Sequence, residues 1–247
     1  MMFLLCHVFA GMVLGIAVAR PPRIPLAVLI AVAGSLFIDL LDKPMALLLA
    51  DPASIAQTFG HTLLAWILVL AVITVIYLYS RNSLVFLFPA AMLLHQLMDM
   101  PWRDPVTWLY PVLGPLVDCQ CGGEGYVGIQ SLAEVFSLSE WIFLAAILVP
   151  GALVFREWIT AWTGRDPAPV ARRLFPGVIV LLVLMGLAAA LAGVLSLPTP
   201  LLAGEIDPTG DLMLAAVSLA GAALLAIHRD RIGAAWERPG RNFPSQP

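Results

Sequence analysis

This 247-residue chain is predicted to be an all-α, polytopic transmembrane bundle of about seven spans. Three observations carry that prediction. First, 61% of the residues are hydrophobic and 12% charged, whereas a soluble domain is roughly half apolar and about a quarter charged. The bilayer must therefore solvate much of the surface. Second, apolar runs near the length of a membrane crossing recur along the chain, bounded by charge or by Pro and Gly. Third, the basic residues alternate from one connector to the next. A net charge of −3 gives no reason to expect nucleic acid or a strongly charged partner. The lipid bilayer is the partner that composition implies, and an oligomer or a larger complex is compatible with it.

The runs fall at 2–19, 25–42, 61–79, 84–100, 139–155, 174–196 and 211–227. No Lys or Arg precedes the first, so it reads as a retained helix rather than a cleaved leader. The connectors after the first, third, fifth and seventh runs hold eleven of the thirteen basic residues, leaving only Lys43 and Arg103 for the others. The positive-inside rule puts the basic set in the cytoplasm and the N-terminus outside. This is the pattern of a multi-pass protein of a bacterial-type inner (cytoplasmic) membrane. Residues 1–105 then form a four-helix half and 106–138 an extracytoplasmic loop. In that loop "WLYPVLGPL" is too short and Pro-broken to cross, which suggests an interfacial or re-entrant segment. Three more spans occupy 139–230, and 231–247 is a cytoplasmic tail. Cys119 and Cys121 in "DCQCGG" read as loop cysteines and Cys6 as a small apolar filler.

Against this apolar background the ionisable residues stand out. His7 lies near the outer end of the first run, and the second ends "GSLFIDLLDKP" with Asp39 and Asp42 three apart. His61 opens the third in "FGHTLLAW", and "AAMLLHQLMDMPW" brings up His95 and Asp99, four apart and so on one helix face. At 1.5 Å per residue all six lie roughly 16–27 Å above the cytoplasmic ends. Ionisable groups inside spans are costly and normally point at a partner or a functional site. Six placed independently would not share one depth, and the last three runs are nearly free of such groups. Three imidazoles and up to three carboxylates suit a divalent metal: zinc foremost, manganese or iron as alternatives. His228, in "IHRDR", falls on the cytoplasmic side.

In these residues the chain resembles the membrane-bound metal-dependent hydrolases, inner-membrane hydrolases of the LexA-binding type. That family has a histidine followed by small residues in its first helix, here "HVFAGMVLG". A Gly-x-x-x-Pro-Asp-x-Asp-like turn, a Thr-His-Ser-like motif and a His-x-x-x-Asp helix follow, here "GSLFIDLLD", "GHT" and "HQLMD", all within residues 1–105. Ile38 replaces the proline, and "AQTFG" replaces the His-Arg-Gly that commonly precedes the third motif. The resemblance and the ligand types together imply metal-assisted hydrolysis near the outer leaflet, on an ester or phosphoester of a small-molecule or lipid-like substrate. His7, His61, His95 and one or both of Asp39 and Asp99 would be the ligands, Asp42 a general base, and Arg103 a substitute for the missing arginine. A haem protein, a transporter or proton pathway, and a non-catalytic membrane subunit are the competing readings.

Overall fold

The computed structural model describes residues 4–49, 59–115, 137–197 and 208–234, and among these no strand occurs. Helix α1 (Leu4–Val18) is followed by α2 (Ile24–Leu49), α3 (Leu63–Ser80) and α4 (Leu87–Met98). A four-residue helix α5 (Pro105–Trp108) comes next, then α6 (Leu138–Val154), α7 (Arg156–Thr163), α8 (Ala168–Leu195), α9 (Pro208–Ile227) and α10 (Arg229–Ala234). Four described helices are long and apolar enough to cross a membrane, or five if α6 and α7, bent 81° apart, count as one. The chain is thus an α-helical multi-pass membrane protein. The expected seven spans include α1, with 15 described residues, and the apolar helix Ser83–Met98 that contains α4, both shorter among the described residues than the roughly 17–25 of a crossing.

Tight approach of α1 to α2 follows from the sequence Gly11-x-x-x-Gly15. A Cβ on Gly15 would stand 2.7 Å from the Val28 Cα, and one on Gly11 2.9 Å from the Ala31 carbonyl oxygen. Small residues spaced four apart let membrane helices pack backbone to backbone, where van der Waals contact replaces the absent hydrophobic drive. Gly34 likewise accepts the backbone of Phe88, bringing α4 onto α2. These contacts fix the register that carries His7, Asp39 and His95 to one level. By contrast α3 is peripheral, with Ile67, Leu68, Val72 and Val75 exposed on its outer face. The α8–α9 pair packs through Gly186 and Gly193, against Leu219 and Leu212.

Three boundaries differ from expectation. Helix α2 continues past Asp42 to Leu49, so the second apolar run ends before its helix does. Helix α8 starts at Ala168 rather than 174. And 156–163, expected as connector, is the amphipathic helix α7, with Trp158 and Trp162 exposed and their rings stacked 6.3 Å apart. Its sharp angle to α6 and its aromatic face are those of a helix lying in the interface. Cys119 and Cys121 lie outside the described residues.

Candidate metal centre

The outer ends of α1, α2 and α4 and the turn before α3 build one buried polar cluster. On α4, His95 and Asp99 are a helical turn apart, the Asp99 N–H donating to the His95 carbonyl at 3.1 Å. Asp99 is the C-cap, after which Met100, in left-handed conformation (φ 55°), swings the chain into the turn Pro101–Arg103. His61 closes the 3-10 turn Phe59–His61. The next residue, Thr62, is the N-cap of α3: its Oγ1 accepts from the Ala65 N–H at 3.0 Å and donates to the Phe59 carbonyl at 2.8 Å. Gln96 ties this turn to α4, its Nε2 donating to the carbonyls of Gly60 and Thr62, each at 3.1 Å.

Three histidines converge on one carboxylate. Nε2 of His7 lies 3.5 Å from Asp99 Oδ1, while Nε2 of His61 and of His95 lie 3.3 and 3.4 Å from Oδ2. The His7 and His95 rings are stacked, 3.8 Å between centroids, and all four side chains are buried. Two overlapping sets, His7–His95–Asp99 and Asp39–His61–His95, each bring their ligand atoms within 4.8 Å of one another. Ring orientation is fixed from behind. The Ser35 carbonyl 2.6 Å from His95 Nδ1 can only accept, so the proton sits on Nδ1 and Nε2 of the neutral ring keeps its lone pair. Asp42 does the same for His61, taking Nδ1–H at 2.6 Å on Oδ2 and the Gly60 N–H at 2.7 Å on Oδ1.

These distances fit a divalent cation. Charge-assisted N–H···O bonds run at about 2.7–2.9 Å, shorter than the 3.3–3.5 Å observed. Ligands bound at about 2.0–2.1 Å around a tetrahedral ion stand roughly 3.3–3.4 Å from each other. Buried His95 Nε2 has no hydrogen-bond partner among the described residues, as befits an atom whose lone pair is reserved for an ion. The carboxylate behind His61 and the carbonyl behind His95 match the usual outer support of such centres, whereas the buried Nδ1 of His7 has no hydrogen-bond partner among the described residues.

Of the residues predicted from sequence, the structure brings together His7, Asp39, His61, His95 and Asp99, with Asp42 directly behind His61. Arg103 is exposed at the end of the turn that follows Asp99. His228 stands in the break between α9 and α10 and belongs to neither ligand set. A cleft of about 10 Å³, room for roughly one water, opens beside His61 and Asp99 under Pro101, Asp104 and Trp108. Sequence reasoning missed Gln96, which only its place one residue after His95 could have flagged. The Ser35 carbonyl carries no sequence signal. Nor are the later helices as bare as expected: Glu140 on α6 and Asp211 on α9 are both buried.

Comparison with known proteins agrees with this membrane architecture. Neither a curated protein nor a solved structure matches the chain. The family model described as YdjM inner membrane protein matches residues 1–197, well beyond the 1–105 that carry the motifs. The chain therefore belongs to the YdjM inner membrane protein family.

Proposed function

We propose that the protein is an integral-membrane, metal-dependent hydrolase acting at the outer leaflet on an ester or phosphoester of a lipid-like substrate. The observation that carries this reading is the convergence of three buried imidazole Nε2 atoms on Asp99 at 3.3–3.5 Å, near the ligand spacing of a tetrahedral ion. His7, His61, His95 and Asp99 would hold the ion, with Asp39 as a further ligand or a base beside it. Zinc suits this donor set best, and manganese or iron also fit. When bound, such an ion supplies Lewis-acid polarisation and an acidified water.

The chain's own residues do the remaining work. Asp42 has both oxygens engaged by Gly60 and His61, which suits it to orienting His61 more than to general-base duty. Pro101, Asp104, Thr107 and Trp108 line the small cleft beside His61 and Asp99, whose size would restrict the water reaching the ion. Arg103, exposed at the end of the turn Pro101–Arg103, would be the residue to meet an anionic headgroup. An apolar groove of about 500 Å³ between α1, α4 and α9 passes Phe9, Leu97, Met98 and Trp102. Its walls flank the cluster in sequence, which supports a substrate with a hydrocarbon portion. A haem held between His7 and His95 is disfavoured, because rings stacked at 3.8 Å leave no space for a macrocycle between them.

Metal analysis of the purified protein tests the reading. The expected result is about one equivalent of zinc in the wild type and less than about a tenth in His61→Ala and His95→Ala. Metal content that is nil in the wild type, or unchanged by both substitutions, would overturn it. Hydrolysis of a phosphoester lipid in vesicles, lost in the same two variants, would then establish the activity.

A further inference from the structure

The first described turn of helix α1 takes a hydrogen-bond partner from a distant helix. The leading N–H groups of any helix lack intrahelical partners, and in hydrocarbon no water replaces them. The partner comes instead from 135 residues further on: Glu140 Oε2 accepts the Leu5 N–H at 2.9 Å. Glu140 is only 6% exposed, and a buried carboxylate within a membrane bundle is rare unless it serves a function. The N-terminus of a helix is where a negative side chain is best placed.

Leu5 lies two residues ahead of His7, and both fall within the first four residues of α1. First turns are where helices fray. Yet His7 is held closely, its ring stacked on His95 at 3.8 Å and its Nε2 3.5 Å from Asp99. Cys6, Phe9 and Met12 pack the helix into the core, and Gly11 and Gly15 seat its later turns on α2, but both glycines lie beyond His7 in the sequence and leave the first turn to other contacts. We propose that Glu140 is a positioning residue of the metal centre: by accepting the Leu5 N–H it pins the first described turn of α1 and so keeps His7 facing His95 and Asp99. This rests on the metal-binding reading above and extends it to α6, which contributes no ligand to either set. It also explains why a carboxylate should be retained in a helix that is otherwise apolar through Ile142–Val149.

Cobalt(II) titration of the full-length protein in lipid nanodiscs, followed by the visible d–d bands, tests this against a purely structural clasp. Glu140→Gln keeps an acceptor for the Leu5 N–H and is expected to bind cobalt within about threefold of the wild type. Glu140→Leu removes the acceptor, and Leu5→Pro removes the donor at a first-turn position that tolerates proline. Both are expected to bind about 10–100-fold more weakly with altered d–d bands and wild-type helix content. Should Glu140→Leu not fold, the Gln and Pro variants decide the matter between them. Wild-type affinity and bands in Glu140→Leu or Leu5→Pro would overturn the inference while leaving the metal centre standing. So would a Gln variant as weak as the Leu variant, since charge rather than the accepted bond would then be at work. A wild type that binds no cobalt would overturn the metal reading itself, and this inference with it.

Discussion

Helices α1, α2 and α4 and the α8–α9 pair use the same packing device for different ends. In each, glycines let one helix sit against the next: Gly11 and Gly15 on Ala31 and Val28, Gly186 and Gly193 on Leu219 and Leu212. Between α8 and α9 the close approach packs apolar side chains onto the glycines, and Ser218 returns its hydroxyl to the Leu214 carbonyl of its own helix. In the first region the same approach lifts His7, Asp39, His95 and Asp99 to one level and holds them within reach of His61. Close helix packing alone therefore makes no site. The site comes from polar side chains placed where packing has already removed the freedom to avoid one another.

The sharpest way to break that comparison is to delete one polar group from each region. His95→Ala removes an imidazole common to both ligand sets and is expected to lower zinc affinity by about 100-fold or more, judged by competition with a chromophoric chelator. Ser218→Ala, equally buried, is expected to leave that affinity unchanged. A smaller effect follows from Asp42→Asn. The amide has one acceptor oxygen where the carboxylate offers two, so it cannot accept from both the Gly60 N–H and His61 Nδ1–H, and zinc affinity is expected to fall about 10–100-fold. An unaltered affinity in this variant would remove Asp42 from the centre.

Packing variants sharpen the contrast further. Gly11→Leu and Gly186→Leu each force a side chain into a backbone-to-backbone contact and should destabilise the bundle by about 1–3 kcal/mol, measured by unfolding in mixed micelles. They should part company in zinc affinity, which is expected to fall several-fold in Gly11→Leu and to hold in Gly186→Leu. Equal losses would mean that the two regions fold and bind as one indivisible unit.

Which parts of this were legible in the sequence follows from the physics of each signal. Histidine and aspartate in an apolar run are conspicuous because hydrocarbon penalises them, so all five residues of the two ligand sets could be named from spacing and depth. Asp42 was legible as a member of the cluster but not as the partner of His61 Nδ1, since two carboxylates three apart on a helix look alike until a third element chooses between them. The span count was harder to read. Hydropathy sees composition rather than helix length, and the apolar helices Leu4–Val18 and Ser83–Met98 are short among the described residues. Helix α7 was hidden because "REWITAWT" is charged enough to pass for a connector, while its stripe of tryptophans shows only at helical period. Glu140 and Asp211 were overlooked because they stand at helix ends, where an acidic residue ordinarily needs no explanation.

The smallest expected effect lies at the far end of the molecule from the cluster, between α7 and α8. Arg156 pairs with Asp166 in a bidentate contact that includes an Nε–Oδ1 bond of 2.8 Å. The hydrogen bond from that guanidinium, and a second from the Ala168 N–H, hold the Asp166 carboxyl below its usual range. Because the folded-state pKa is depressed, the pair's contribution is complete above the unfolded value of about 3.9 and is lost as pH falls through the lower folded value. Both side chains are about a third exposed, so water and salt screen the pair. Asp166→Asn is therefore expected to leave the unfolding midpoint at neutral pH within error and to leave zinc affinity unchanged. Its one expected signature is local: without the bond from Arg156, the first turn of α8 should exchange its amide hydrogens faster. If zinc affinity fell as well, the interfacial helix would be coupled to a centre near the opposite face of the bundle, and the division between the two regions would no longer hold.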